Sequence, residues 1–246
     1  MRLESPTDSG WRTRGPALLT LLLWAGSGLA PAQNSSPAPD AAPALPSVAF
    51  TQAFPRATPA YLSLRIDSAG HAAYESRREE GEPGQPELGE PYRSEFVISE
   101  ATARRIFALA ETLNYFQGDW DFKKHRIADT GRKTLLYSDS TRTHQTTYNW
   151  SENHDVQELT DIFQGIATTQ EAAYELDRLR RYDRLGLNNQ LERMEEMAKS
   201  GWLRELHVIA PLLENIANDR EIMHIARQRA QHLLQLAASP PPATLH

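Results

Sequence analysis

The chain contains no cysteine. That absence excludes thiol nucleophiles, thiolate metal sites and disulfide bracing together, so stability must come from an ordinary hydrophobic core. No apolar run reaches the about 20 residues that a bilayer span needs. Nor is there an excess of basic charge. The formal net charge is −6, which argues against general nucleic-acid binding. A Gly-rich phosphate loop, a nucleophile elbow and a His-Glu-x-x-His pair are also missing. The eight histidines are scattered. His144 and His154 sit on either side of a strand end, and His224 and His232 lie about two helical turns apart, too far for one ion. No metal site, cofactor or catalytic set is expected.

What is present begins with Arg2, Arg12 and Arg14, followed by the apolar stretch Ala17–Ala25 and then Ala30-Pro31-Ala32. A charged region, a short hydrophobic core and a small-x-small site read as a signal peptide over residues 1–32. The expectation is a secreted or periplasmic protein with no membrane insertion after cleavage. Residues 1–32 carry those three arginines against Glu4 and Asp8, so their loss takes the net charge from −6 to −7. Residues 33–59 are rich in Pro, Ala and Ser and read as a disordered tether, with Val48 to Phe54 able to dock on the domain that follows. Asn34-Ser35-Ser36 and Asn149-Trp150-Ser151 fit the glycosylation pattern.

Residues 60–167 read as an α+β domain, an antiparallel sheet of about five strands covered by helices. Leu62, Leu64 and Ile66 alternate with Ser63 and Arg65, the period of a half-buried strand. Asp67-Ser68-Ala69-Gly70 turns the chain into a second strand around Tyr74, and Tyr92 to Ile98 forms a third. Ser99 is a good N-cap for an amphipathic helix striped by Ala103, Ile106, Phe107, Ala110 and Leu113. The connection from Gln117 to Gly131 is longer than most in compact domains. Thr134–Tyr137 and Thr143–Trp150 then pair across the turn Asp139–Arg142. In the order of its elements, and in Phe96-Val97-Ile98-Ser99 leading into the helix, this region resembles uncharacterised secreted bacterial domains built as hairpin, strand, helix, hairpin, helix. The resemblance implies an antiparallel sheet with helices on one face and assigns no active site.

Residues 168–238 read as an α-helical C-terminal region and 239–246 as a disordered tail. Gly186 and Gly201 break the helical spacing, and the last two helices are expected over Trp202–Ala217 and Arg220–Ala237. With Pro211 in the first and Asp219 at the turn, Trp202 to Leu236 resembles a single HEAT-type helical repeat. One such pair implies a cap on the preceding helices rather than a solenoid.

The candidate binding residues are aromatic. Trp120 on the long loop, with His144, Tyr148 and Trp150 on one strand, can form a platform at the sheet edge for a sugar or a protein. The leading reading is therefore a non-enzymatic binding protein for another protein or a cell-envelope component, acting through its sheet edge and helical surface. A rival is a cell-wall or glycan hydrolase using Asp119 and Asp121 in the 117–131 loop. A third is an architectural spacer held on the Pro-rich tether.

Overall fold

The computed structural model describes residues 45–55, 57–80 and 87–238. The signal-like segment 1–32, the first part of the tether, Asn34, the middle of the acidic Pro/Gly loop and the tail 239–246 lie outside the described residues.

Ser47–Ala53 is strand β1, and it corrects the tether reading for that stretch. Val48 and Phe50 point inward with 0 % exposure. They alternate with Ser47, Ala49 and Thr51, small residues that suit a strand flanked on both sides. β1 pairs antiparallel with β2 (Tyr61–Asp67) on one side and with β7 (Arg132–Ser138) on the other. Beyond β2 come β3 (His71–Arg77) and β6 (Tyr92–Val97); beyond β7 comes β8 (Thr143–Tyr148). The sheet thus has six strands in the order β6-β3-β2-β1-β7-β8, every neighbour antiparallel. A two-residue ladder, β4 (Glu79–Glu80) with β5 (Glu87–Leu88), stands apart from it. Both predicted hairpins belong to one sheet because β1 joins them.

Among the described residues, helices cover one face of the sheet. α1 (Glu100–Thr112) starts at Ser99, whose Oγ accepts the Thr102 N–H. It buries Ala103, Ile106, Leu109 and Ala110 against the sheet, while Phe107 sits half-buried at the margin of that stripe. α2 (His154–Tyr182) is 29 residues long, about 44 Å, and is capped by Asn153 Oδ1 at the Val156 N–H. Its first half places Val156, Leu159, Ile162, Phe163 and Ile166 in the sheet core, with Phe163 stacked on Phe50 at 5.4 Å between centroids. Its second half places Ala172, Ala173, Leu176 and Leu179 in a helical core with α3 (Gly186–Lys199), α4 (Ala210–Asn218) and α5 (His224–Ala238). The boundary expected at 167/168 therefore falls inside one continuous helix. The core changes there; the backbone does not.

α3 ends in a Schellman motif. Gly201 has φ +73°, its N–H donates to Ala198 O, and the Trp202 N–H donates to Met197 O at 2.9 Å. The next helix begins later than its spacing suggested. Trp202 is exposed, Glu205 is left-handed, and a 3-10 turn at Leu206–Ile209 leads into α4 with Pro211 in its first turn. Asp219 closes α4 as its C-cap. No helix among the described residues is long and apolar enough to cross a membrane.

Candidate functional site: an aromatic groove beside a left-handed turn

The four expected binding residues do not form one platform. Tyr148 is 3 % exposed, points into the sheet core and bonds Thr160 Oγ1 at 2.6 Å, and burial pushes its phenol well up. His144 is on the same inward side and half-buried. Trp120 is half-buried against the sheet core, with its indole N–H covered. Only Trp150, 40 % exposed, presents a surface, and its outer neighbour is Phe122, edge-on at 5.1 Å. Strand alternation turns His144 and Tyr148 to the core side of the sheet, whereas Trp150 lies past the end of that strand and faces solvent.

The 117–131 loop is fastened down at several points. The Phe122 N–H donates to Trp150 O, the Asn149 N–H to Asp121 Oδ1, and Asn149 Nδ2 to Ala128 O. The Lys133 Nζ, on a side chain that leaves little of the residue exposed, donates to Thr130 O, Thr130 Oγ1, Gly131 O and Asn149 O at 2.8 to 3.3 Å. Asp119 pairs with Lys123 in solvent while Asp121 grips the backbone. The two carboxylates have separate tasks and do not converge on a common point. The Asn149 amide of the second glycosylation pattern is engaged on both its oxygen and its nitrogen, an arrangement that makes it a brace for the loop.

Other polar clusters are likewise internally matched. Glu171 on α2 accepts from Tyr74 Oη (2.8 Å), Ser76 Oγ and Arg78, and the Arg78 guanidinium lies 3.9 Å over the Tyr174 ring. Burial, then the Glu171 charge, pushes the Tyr74 phenol up. His154, Asp155 and Glu158 bring potential ligand atoms within 4.8 Å of one another, but Arg105 clamps Glu158 through Nε (2.6 Å) and a second nitrogen (2.5 Å). A guanidinium already neutralises that group, and the three carry no metal assignment.

The most unusual backbone lies between α1 and the long loop. Asn114, Tyr115 and Phe116 have φ of 49°, 53° and 67°, three successive left-handed residues with no glycine among them. Each costs about 1–2 kcal/mol relative to ordinary backbone, Asn114 the least. Burial holds the turn in place. Phe116 is fully enclosed, its N–H donates to Leu113 O, and the Gln117 N–H donates to Asn114 O. As a result Tyr115 leans on Tyr137 at 4.6 Å between centroids, under the Arg142 guanidinium at 4.0 Å. Phe107 meets Tyr137 edge-on at 6.5 Å. Asp139 fixes the far side, accepting from Tyr137 Oη (3.0 Å) and Arg142 Nε (2.9 Å).

These rings line an open groove of about 430 Å³ with Pro46, Ser68, Ala103, Ala108, Arg104 and Glu111. A larger, equally shallow concavity of about 630 Å³ lies on the bare face of the sheet, around Ala73 between Arg65 and Glu95. Both border the Leu45–Pro46 segment and the β2–β3 turn. We favour the smaller one as the site because it alone combines aromatic walls, rim charges of both signs and strained backbone. Spacing placed Phe107 on the apolar stripe of a helix and Tyr137 in a strand, neither as part of a site. Nothing but Asn114, a residue tolerant of the left-handed region, marked the turn in the sequence.

No protein-family model and no curated protein sequence matches this chain.

Proposed function

We propose that the mature chain is a secreted or periplasmic binding module that docks a segment of another protein, or an envelope component, in the Phe107–Tyr115–Tyr137 groove. The observation that carries this reading is the left-handed turn at Asn114–Phe116. Strain of that kind collects where a side chain must be held in one pose, and here it fixes an aromatic ring on the wall of an open cleft. The half-buried Phe107 and Tyr115 rings, backed by the buried Tyr137, supply contact area at small entropic cost, and Arg104 and Glu111 on the rim can select charge on the ligand. The secretion half of the reading rests on the charged, apolar and small-residue pattern of residues 1–32. The likeness of Trp202–Leu236 to a HEAT-type pair fits a protein that works by presenting surfaces.

The test is site-specific photo-crosslinking in the native envelope. A benzophenone side chain at Ala108, in the groove, should capture a defined partner that the same probe at exposed Arg193 does not. Adding Tyr115→Ala should reduce the capture without unfolding the protein. Equal labelling from both positions would remove the groove from consideration.

A further inference from the structure

Among the described residues, strand β8 is the sheet edge that lacks protection. Its residues Thr143 to Tyr148 include no proline and no Lys, Arg, Asp or Glu, the devices by which edges discourage pairing. The opposite edge, β6, carries Arg93 and Glu95, and the Val97 carbonyl is approached by His207 Nε2 at 3.3 Å. At the β7–β8 turn the Asp139 N–H donates to Arg142 O. Antiparallel pairing alternates from there, so Thr143, Gln145 and Thr147 turn their N–H and C=O groups away from β7. The hydroxyl contacts Ser138–Thr143 (3.2 Å) and Thr134–Thr147 (3.0 Å) fit that assignment, because side chains sit closer in the non-hydrogen-bonded pairs. All three outward residues are exposed, and among the described residues none of their main-chain groups bonds outside the β7 ladder. The next outward position, Asn149, is closed by the Asp121 carboxylate. The open window is therefore Thr143–Thr147, five residues bounded by the turn and the loop.

The geometry points to a second copy of this chain as the occupant, its β8 laid antiparallel about a two-fold axis at Gln145. In that register Gln145 faces Gln145 of the other copy and Thr143 faces Thr147 in both directions. The three outward N–H and three outward C=O groups of each window then match with none left over. Threonine opposite threonine is a favourable cross-strand pair, and no formal charge meets its like anywhere in the window. This self-match selects a copy over a foreign strand, whose residues the window has no charge or pocket to recognise. Strand pairing of this length buries little area, so association is concentration-dependent and of about micromolar strength.

Sedimentation equilibrium of the mature chain from about 1 µM to about 1 mM tests it. The expected result is a reversible dimer. Gln145 is exposed, so Gln145→Glu and Gln145→Lys keep the fold, which circular dichroism checks, but each sets two like charges face to face at the axis. Each alone should weaken dimerisation by at least about tenfold, and an equimolar mixture of the two should restore it. A wild type that stays monomeric throughout, a dimer indifferent to both substitutions, or failure of the mixture to recover association overturns the proposal. None of these variants touches the aromatic groove, so failure here leaves the groove reading standing, and the reverse also holds.

Discussion

The Glu205 carboxylate accepts the Ser99 N–H at 2.7 Å and the Ser99 hydroxyl at 2.9 Å, and it also receives the Thr102 hydroxyl. A residue just before α4 therefore caps α1, more than a hundred positions earlier in the chain. Its left-handed backbone, φ 55°, is the cost of aiming the side chain there. A negative charge at a helix N-terminus satisfies orphan donors and complements the dipole together. Replacing Glu205 with Ala should lower unfolding free energy by about 2–4 kcal/mol, and with Gln by less, since an acceptor for the Ser99 N–H survives. Denaturant titration of the two variants checks the order; equal losses would mean that the acceptor retained by Gln contributes nothing and the charge carries the contact.

Asp139 organises the β7–β8 turn. The Thr141 hydroxyl, the Thr141 N–H and the Arg142 N–H all donate to it, and together they hold its carboxyl far below the ordinary carboxylate range. A depressed folded value means that the unfolded chain takes up the proton first. The contribution is complete above the ordinary range and fades as pH falls through the folded value. Carbon-13 titration should show Asp139 still ionised in acid that protonates exposed aspartates, and Asp139→Asn should flatten the acid limb of the stability profile.

Lys133 is the pin of the long loop. Exchanging it for Met leaves three carbonyls and a hydroxyl without their shared donor. We expect a loss of about 2–4 kcal/mol and faster hydrogen exchange across 117–131 and Asn149–Trp150. Burial pushes the Lys133 ammonium below the ordinary lysine value. Between the folded and unfolded values the unfolded chain binds more protons, so that part of stability rises with pH in the wild type and not in the Met variant.

Two glycines should respond differently to alanine. At Gly131, φ +88°, an added Cβ would stand 2.7 Å from Phe54 Cβ and 3.2 Å from Ala53 O. At Gly201, φ +73°, it would meet nothing within 4 Å. Gly201→Ala should cost about 1 kcal/mol for the left-handed backbone alone, and Gly131→Ala about 2–3 kcal/mol through added overlap. Thermal melts that rank them the other way would contradict the packing around β1.

Tryptophan accessibility separates loop from surface. Trp202 at 68 % and Trp150 at 40 % exposure should be quenched readily by acrylamide, whereas Trp120 should resist. Single Trp→Phe replacements at 150 and 202 assign the signals. In the mature chain without residues 1–32, and so without Trp11 and Trp24, strong quenching that survives both replacements combined would show the loop open.

Much of the architecture was readable because period and face agree locally. Leu62-Leu64-Ile66 and the Ser99 helix need no distant information. β1 was harder. Val48 and Phe50 alternate correctly, but they sit in a stretch whose proline and alanine content suggests disorder, and their value comes from two strands that arrive later in the chain. Leu109 and Phe107 exchanged places in burial because helix periodicity fixes a stripe, not its edges. The groove was nearly invisible. Tyr115 reaches its pose through a backbone state that only Asn114 hints at, and the energy that tolerates it comes from Phe116 packing far from any sequence neighbour. The late start of α4 was missed for a similar reason: Leu203, Leu206 and Ile209 keep helical spacing across a left-handed Glu205.

The uninterrupted run of α2 from one hydrophobic cluster into the other has a mechanical consequence. A load applied at the C-terminal helices travels along one stiff rod to the Phe163–Phe50 stack, where the middle strand of the sheet resists it. The rod has no break between the two hydrophobic clusters, so displacement of one is passed to the other.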